Sequence, residues 1–308
     1  MTIRHMVVSL DGSRFAETAI PVAARLARTA GARLRALMVH EPVMALVPAA
    51  DIPVTVGPDE AALRAEEKAY LAGLASELGT IGGLPVEYSL LEGLAGPALV
   101  VELDRSVPDL LVMATHGRGP LSRFWLGSVA DHVIRHTSTP VLLLHPRDGD
   151  AVPGPELKME RIIAALDRSD ESEAILAPLV SLARLTQAHL TLIHVVEPVL
   201  GVSGAVPPYP VAVPQETLEL LRSDAQKYLD RVADRLRGQG LGVATKVIVG
   251  LGVAGTILSQ VDQGNYDLVA MTTHGATGFR RLLLGSVADK VIRGSHRPVL
   301  ILRPAADG

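Results

Sequence analysis

Cysteine is absent from the 308 residues, which removes disulfide frameworks, thiolate nucleophiles and sulfur-ligated metal sites at once and suits a reducing compartment. Aromatic residues are scarce: three Phe, five Tyr and one Trp leave few faces on which bases stack. Neither sign of charge is in large excess. With 29 basic and 33 acidic residues the net charge is −4, so there is no broad cationic surface and nucleic acid is not an expected partner. No uninterrupted apolar run approaches the ~20 residues of a membrane span. Arg4, His5 and Asp11 also break up the stretch where the apolar core of a leader would sit. The expectation is a cytoplasmic protein with no membrane partner.

Aliphatic residues, in contrast, are plentiful. An apolar content of 48% over 308 residues is ample for two packed cores at the usual ~150 residues per domain. The chain is also visibly duplicated. Asp109 to Pro146 aligns with Asp267 to Pro304, with 21 of 38 positions identical. Earlier, VVSLDGS ending at Ser13 answers AALDRS ending at Ser169, and VHEPV ending at Val43 answers VVEPV ending at Val199. Between the copies, Arg147 to Pro155 mixes charge, Gly and Pro without an apolar period, as a linker does. The domains are therefore placed at 1–147 and 158–308.

Within the first copy, β-type runs at Ile3–Leu10, Leu34–Val39, Val86–Leu90, Leu110–Ala114 and Val141–Leu144 alternate with helical patterns at Phe15–Ala30, Glu60–Leu78, Pro97–Arg105 and Ser128–Thr137. Gly31 follows the first helical pattern as a stop. Several strands are continuous Val/Leu/Ile runs, the sign of a parallel sheet covered on both faces. The fold class is α/β: two tandem five-stranded parallel sheets with helices on both faces, Rossmann-like. Glu41–Asp59 and Glu197–Gln215 have no clear period and read as long flaps after the second strand of each copy.

The segment richest in chemistry is Thr115-His116-Gly117, then nine residues to Gly127-Ser128, matched by Thr273-His274-Gly275 and Gly285-Ser286. Glycines admit close approach and positive φ. A helix opened by Ser128 or Ser286 offers unpaired amides and a favourable dipole to an anion. The alternative is structural: Ser128 with Asp131, and Ser286 with Asp289, have S-x-x-D capping spacing, and Gly117 and Gly127 could be turn glycines. Asp11 and Asp167 end the first strands, either as ligands or as the start of Asx turns with Ser13 and Ser169 nearby. His132 and His136 have i, i+4 metal spacing, but Lys290 and Gly294 replace them in the second copy, which favours a solvated helix face. His116 and His274 serve as proton donors or as loop-orienting hydrogen-bonders. No G-x-x-x-x-G-K-[ST] loop is present, nor an evident set of metal carboxylates for phosphoryl transfer.

These motifs resemble the universal stress proteins over nearly the whole chain. ATP-binding members carry Gly, two residues, Gly, nine residues, then Gly with Ser or Thr. This sequence departs at the first glycine, which is Ala114 in one copy and Thr272 in the other. A β-branched residue is stiff and disfavours positive φ, so Thr272 would weaken a site that needs a glycine conformation there. The resemblance implies an adenine nucleotide α-hydrolase-like fold of strand order 3-2-1-4-5. It further implies ATP, with magnesium carried on its phosphates, running from Asp11 and Asp167 past the backbone of Val39 and Val195 to Ala114, Gly117, Gly127 and Ser128 in one copy and Thr272, Gly275, Gly285 and Ser286 in the other. Implied roles are ATP-dependent regulation in the stress response or, as alternatives, a scaffold that has abandoned nucleotide or a slow ATP hydrolase. Last strands build dimers in the family, which implies a pseudo-dimer within the chain and leaves room for a homodimer.

Overall fold

The computed structural model describes residues 2–42, 60–115, 126–145, 158–202, 210–212, 214–274 and 284–304. The first half runs β1 (His5–Leu10), α1 (Arg14–Glu17), α2 (Ala19–Ala30), β2 (Arg33–His40), α3 (Glu60–Gly82), β3 (Val86–Glu92), α4 (Ala95–Ser106), β4 (Leu110–Ala114), α5 (Ser128–His136) and β5 (Val141–Leu144). The second half repeats the series as β6 (Arg161–Ala165), α6 (Asp170–Glu173), α7 (Leu176–Thr186), β7 (His189–Val196), then β8 (Val199–Val202) and β9 (Pro210–Ala212). It finishes with α8 (Gln215–Arg237), β10 (Val243–Val249), α9 (Val253–Gln263), β11 (Leu268–Thr272), α10 (Ser286–Gly294) and β12 (Val299–Leu302).

Strands within each half are parallel, in the orders β3-β2-β1-β4-β5 and β10-β7-β6-β11-β12. The two sheets are not separate. Val141, Leu142 and Leu143 of β5 pair antiparallel with Ile301, Leu300 and Val299 of β12, which makes one ten-stranded sheet. The carboxyl edges of the halves therefore lie on opposite sides of that sheet. Strand alternation distributes the core: Met6, Val8 and Leu10 face one buried cluster and Val7 the other. One cluster lies under α2, α3, α7 and α8, the other under α4, α5, α9 and α10, and both contain residues of both halves.

Two local differences from the sequence reading have clear causes. The helical pattern 15–30 is broken at Thr18, whose hydroxyl donates to Phe15 O at 2.6 Å. Pro21 lacks the N–H that would bond the carbonyl of Glu17, and Pro178 stands in the same place beyond the α6–α7 break. The stretch 197–215 is not wholly irregular: β8 and β9 form a small antiparallel ladder. The first flap, from residue 43 to 59, lies outside the described residues, as do the linker residues 147–155.

Candidate functional site

Each half brings the ends of three adjacent strands to one level. Leu10 pairs with Met38 and Val8 with Val112, so the continued register sets Asp11 beside Val39 on one side and Thr115, just past Ala114, on the other. Ala165 pairs with Ile193 and Ala164 with Ala270, which sets Asp167 beside Val195 and Thr273 in the second half. This is where the strand order reverses, with β2 to one side of β1 and β4 to the other. Open α/β sheets hold ligands at that crevice.

The aspartates sit in Asx turns. Asp11 Oδ1 accepts the N–H of Ser13 at 2.9 Å, and Asp167 Oδ1 accepts the N–H of Ser169 at 3.1 Å and its hydroxyl. The serines in turn cap the next short helices, accepting from Ala16 at 3.2 Å and Ser172 at 3.1 Å. Gly12 occupies the left-handed region at φ 76°, and Arg168, its counterpart, is held there at φ 74° despite its Cβ.

The fourth strands lead to the helix starts. Gly127 N–H donates to Thr115 O at 2.8 Å, and Gly285 N–H to Thr273 O at 2.9 Å, tying the start of α5 to the end of β4 and the start of α10 to the end of β11. The capping alternative does not hold: Gly127 and Gly285 are the N-caps, Ser128 and Ser286 are the first helical residues, exposed, and no side chain among the described residues caps either helix. Asp131 does not reach back to the cap. Its carboxylate is held by Arg135 at 2.7 and 2.9 Å, with Arg293 at 3.6 Å, and Asp289 is held by Arg293 at 2.8 Å.

Positive φ is not what these glycines supply, since φ is −58° at Gly127 and −59° at Gly285. Close approach is: a Cβ on Gly285 would stand 2.7 Å from the carbonyl oxygen of Thr273. Ala114 and Thr272 end regular buried strands and neither has positive φ, so the strain anticipated for Thr272 does not arise. Its hydroxyl instead donates to His274 O at 2.6 Å. His274 Nδ1 meets Thr273 Oγ1 at 2.9 Å, while Nε2 is buried without a hydrogen-bond partner among the described residues. Burial lowers the His274 pKa, and the positive charges of Arg303 and Arg135 lower it further. His116, Gly117 and Gly275 lie outside the described residues.

His132 and His136 are half-buried and stacked, with ring centroids 4.1 Å apart, and His136 Nδ1 donates to His132 O at 2.7 Å. No group of three or more His, Cys, Asp or Glu able to hold a metal occurs among the described residues. Glu41 and Glu197, which the sequence places only at the start of each flap, have a further role at the rim. Glu41 Oε1 accepts the N–H of Ala95 at 2.7 Å, and Glu197 Oε1 that of Gly252 at 3.0 Å, so each anchors the start of the helix after the third strand. The repeated EP pair at 41–42 and 197–198 was the available signal.

Comparison with known proteins gives a consistent result. The model of the universal stress protein family matches residues 2–145 and again 158–303. A universal stress protein of Mycolicibacterium smegmatis is 27% identical over 304 residues, covering 97% of each chain. One of Methanocaldococcus jannaschii is 31% identical over 149 residues, 47% of this chain and 82% of that protein. Among solved structures, a universal stress protein of Archaeoglobus fulgidus superposes with a TM-score of 0.65 at 19% identity, covering 98% of this chain and 97% of that one. A protein of unknown function from Pseudomonas aeruginosa does so with a TM-score of 0.66 at 18% identity, covering 98% and 93%.

Proposed function

Because the chain belongs to the universal stress protein family, as two copies in tandem, we propose that it binds ATP at the carboxyl edge of each half and acts as an ATP-dependent regulatory protein of the stress response. The observation that carries this reading is the pair of helix starts, Gly127-Ser128 and Gly285-Ser286, which no side chain among the described residues caps, beside the strand-order reversal. The first amides of such a helix and its dipole favour phosphate. Two further features fit an anionic ligand. The carboxylates of Asp131 and Asp289, in the first turns, are already engaged by arginines, which offsets their repulsion of a phosphate. The buried Nε2 of His274 has a hydrogen-bonding place to fill among the described residues.

In this reading Asp11 and Asp167 hold the adenosine end and the backbone of Val39 and Val195 lies by the adenine. The phosphates, with magnesium, meet Ala114, Gly117, Gly127 and Ser128 in the first half and Thr272, Gly275, Gly285 and Ser286 in the second. Binding is the role proposed here, with slow hydrolysis of ATP as its alternative, since the sequence holds no evident set of metal carboxylates for phosphoryl transfer.

Isothermal titration calorimetry with Mg-ATP on nucleotide-free protein tests this. Saturable binding is expected, with thermal stabilisation of about 2.7 kcal/mol at 100 times Kd. Ser128→Asp and Ser286→Asp are the informative variants: a carboxylate at the first helical position suits the helix dipole and repels phosphate. Each should weaken its own site by about tenfold or more while leaving the melting temperature unchanged or raised. Absence of binding by the wild type would leave the scaffold reading in its place.

A further inference from the structure

The helices that open the two candidate sites meet across the pseudo-twofold axis of the sheet, and their charged side chains form one cluster. Asp131 and Arg135 belong to α5, Asp289 and Arg293 to α10; each arginine binds the aspartate four residues before it on its own helix. They also reach across. Arg293 Nη2 lies 3.6 Å from Asp131 Oδ1, and the Arg135 pKa is raised, first by its bond to Asp131 and least by the charge of Asp289. The residue after each last strand crosses in the same sense: His145 Nε2 donates to Ile292 O at 2.8 Å, and Arg303 Nη1 to His136 O at 3.1 Å. Arg135 and Arg303 both act electrostatically on His274, so the first half places positive charge near the second half's loop.

We infer that Arg293 is a positioning residue for the opposite half, neutralising the first-turn aspartate Asp131 of the other copy's helix and so setting the anion affinity of a site to which it does not itself belong in sequence. The inference rests on the nucleotide reading above. Asp131 stands in the first turn of α5, where an uncompensated carboxylate opposes an incoming phosphate. Among the described residues Arg135 serves it from the first half, and Arg293 adds a second cation from the second half. Withdrawing Arg293 therefore leaves more negative charge at both helix starts. The aspartates and arginines are roughly a quarter to a third exposed, from 23% to 33%, so the coupling is screened by salt but not abolished at physiological ionic strength.

The test needs a readout that separates the halves. Photolabelling with 8-azido-ATP over a concentration series, followed by mass-spectrometric quantification of labelled peptides, gives a half-saturation for each. Arg293→Gln is expected to raise the half-saturation of the first half by on the order of threefold to tenfold, with the effect shrinking as salt is added. Arg293→Lys, which keeps the charge, should restore most of it. The change at the first half should largely vanish when Arg293→Gln is made in an Asp131→Asn background. A half-saturation of the first half that is unmoved by Arg293→Gln, with the second half still labelled, overturns the coupling and leaves the nucleotide reading standing. So does equal loss in Arg293→Lys and Arg293→Gln. Label confined to the second half of the wild type also overturns it, and no saturable label in either half overturns both.

Discussion

At the scale of single residues, the two copies allow a comparison in which one serves as control for the other. Gly12 and Arg168 occupy the same place in the loop after the first strand, and both have φ near +75°, at 76° and 74°. Glycine adopts that conformation freely, whereas a residue with a Cβ carries about 1–2 kcal/mol there. Glycine also loses more freedom on folding, by about 0.5–1 kcal/mol, which cancels part of the gain. Arg168→Gly should therefore stabilise the protein by about 0.5–1 kcal/mol in urea unfolding. Gly12→Arg should destabilise it by a similar amount. A stabilisation of the wild type by Arg168 relative to glycine would show that its side chain makes contacts outweighing the strain. Strain of this kind tends to gather where a ligand is handled, and Arg168 adjoins Asp167 of the second candidate site.

At the scale of elements, much was legible because local rules suffice. The alternation of Val/Leu/Ile runs with helical patterns, written twice, specifies parallel strands under helices, and the ends of β4, β5, β11 and β12 fall where the apolar runs end. Gly31 closes α2 in the left-handed conformation, at φ 61°. The start of α4 was less legible. It begins at Ala95 rather than Pro97, because the turn before the proline is held from outside by Glu41, 54 residues earlier. The same is true of α9 and Glu197. The capping alternative for Ser128 fails for a related reason: S-x-x-D spacing does not reveal that Asp131 has arginines from both halves to bind instead. Since Glu197 supplies a charge-assisted bond at the start of α9, where no other side chain among the described residues caps the helix, Glu197→Ala should cost about 1 kcal/mol. Glu197→Gln, which keeps the acceptor but not the charge, should cost less. Hydrogen exchange of the first turn of α9 should quicken in the alanine variant, and an unchanged rate there would remove Glu197 as its anchor.

At the scale of the whole molecule, duplication alone does not say whether the halves stand as separate units or as one body. Long-range partners decide it. The pairing of β5 with β12 buries both last strands and occupies the edges through which two such sheets would otherwise pair with a second chain, leaving β3 and β10 as the outer strands. Each hydrophobic cluster runs through the junction, and His145 and Arg303 tie each half to the opposing helix. Unfolding one half alone would expose the apolar surface of β5 or β12 and of α5 or α10 on the half that remained, at about 25 cal/mol per Å2. The halves should therefore unfold together. In differential scanning calorimetry the ligand-free protein is expected to give one transition with a calorimetric to van't Hoff enthalpy ratio near 1, whereas independent halves of similar stability would give a ratio of about 2. Weakening the junction separates the cases further. Leu300→Pro, which removes a ladder N–H and disturbs the buried centre of β12, should lower the stability of the whole chain if the halves are coupled. If a first-half transition persisted unchanged in that variant, the ten-stranded sheet would be two independent sheets in contact.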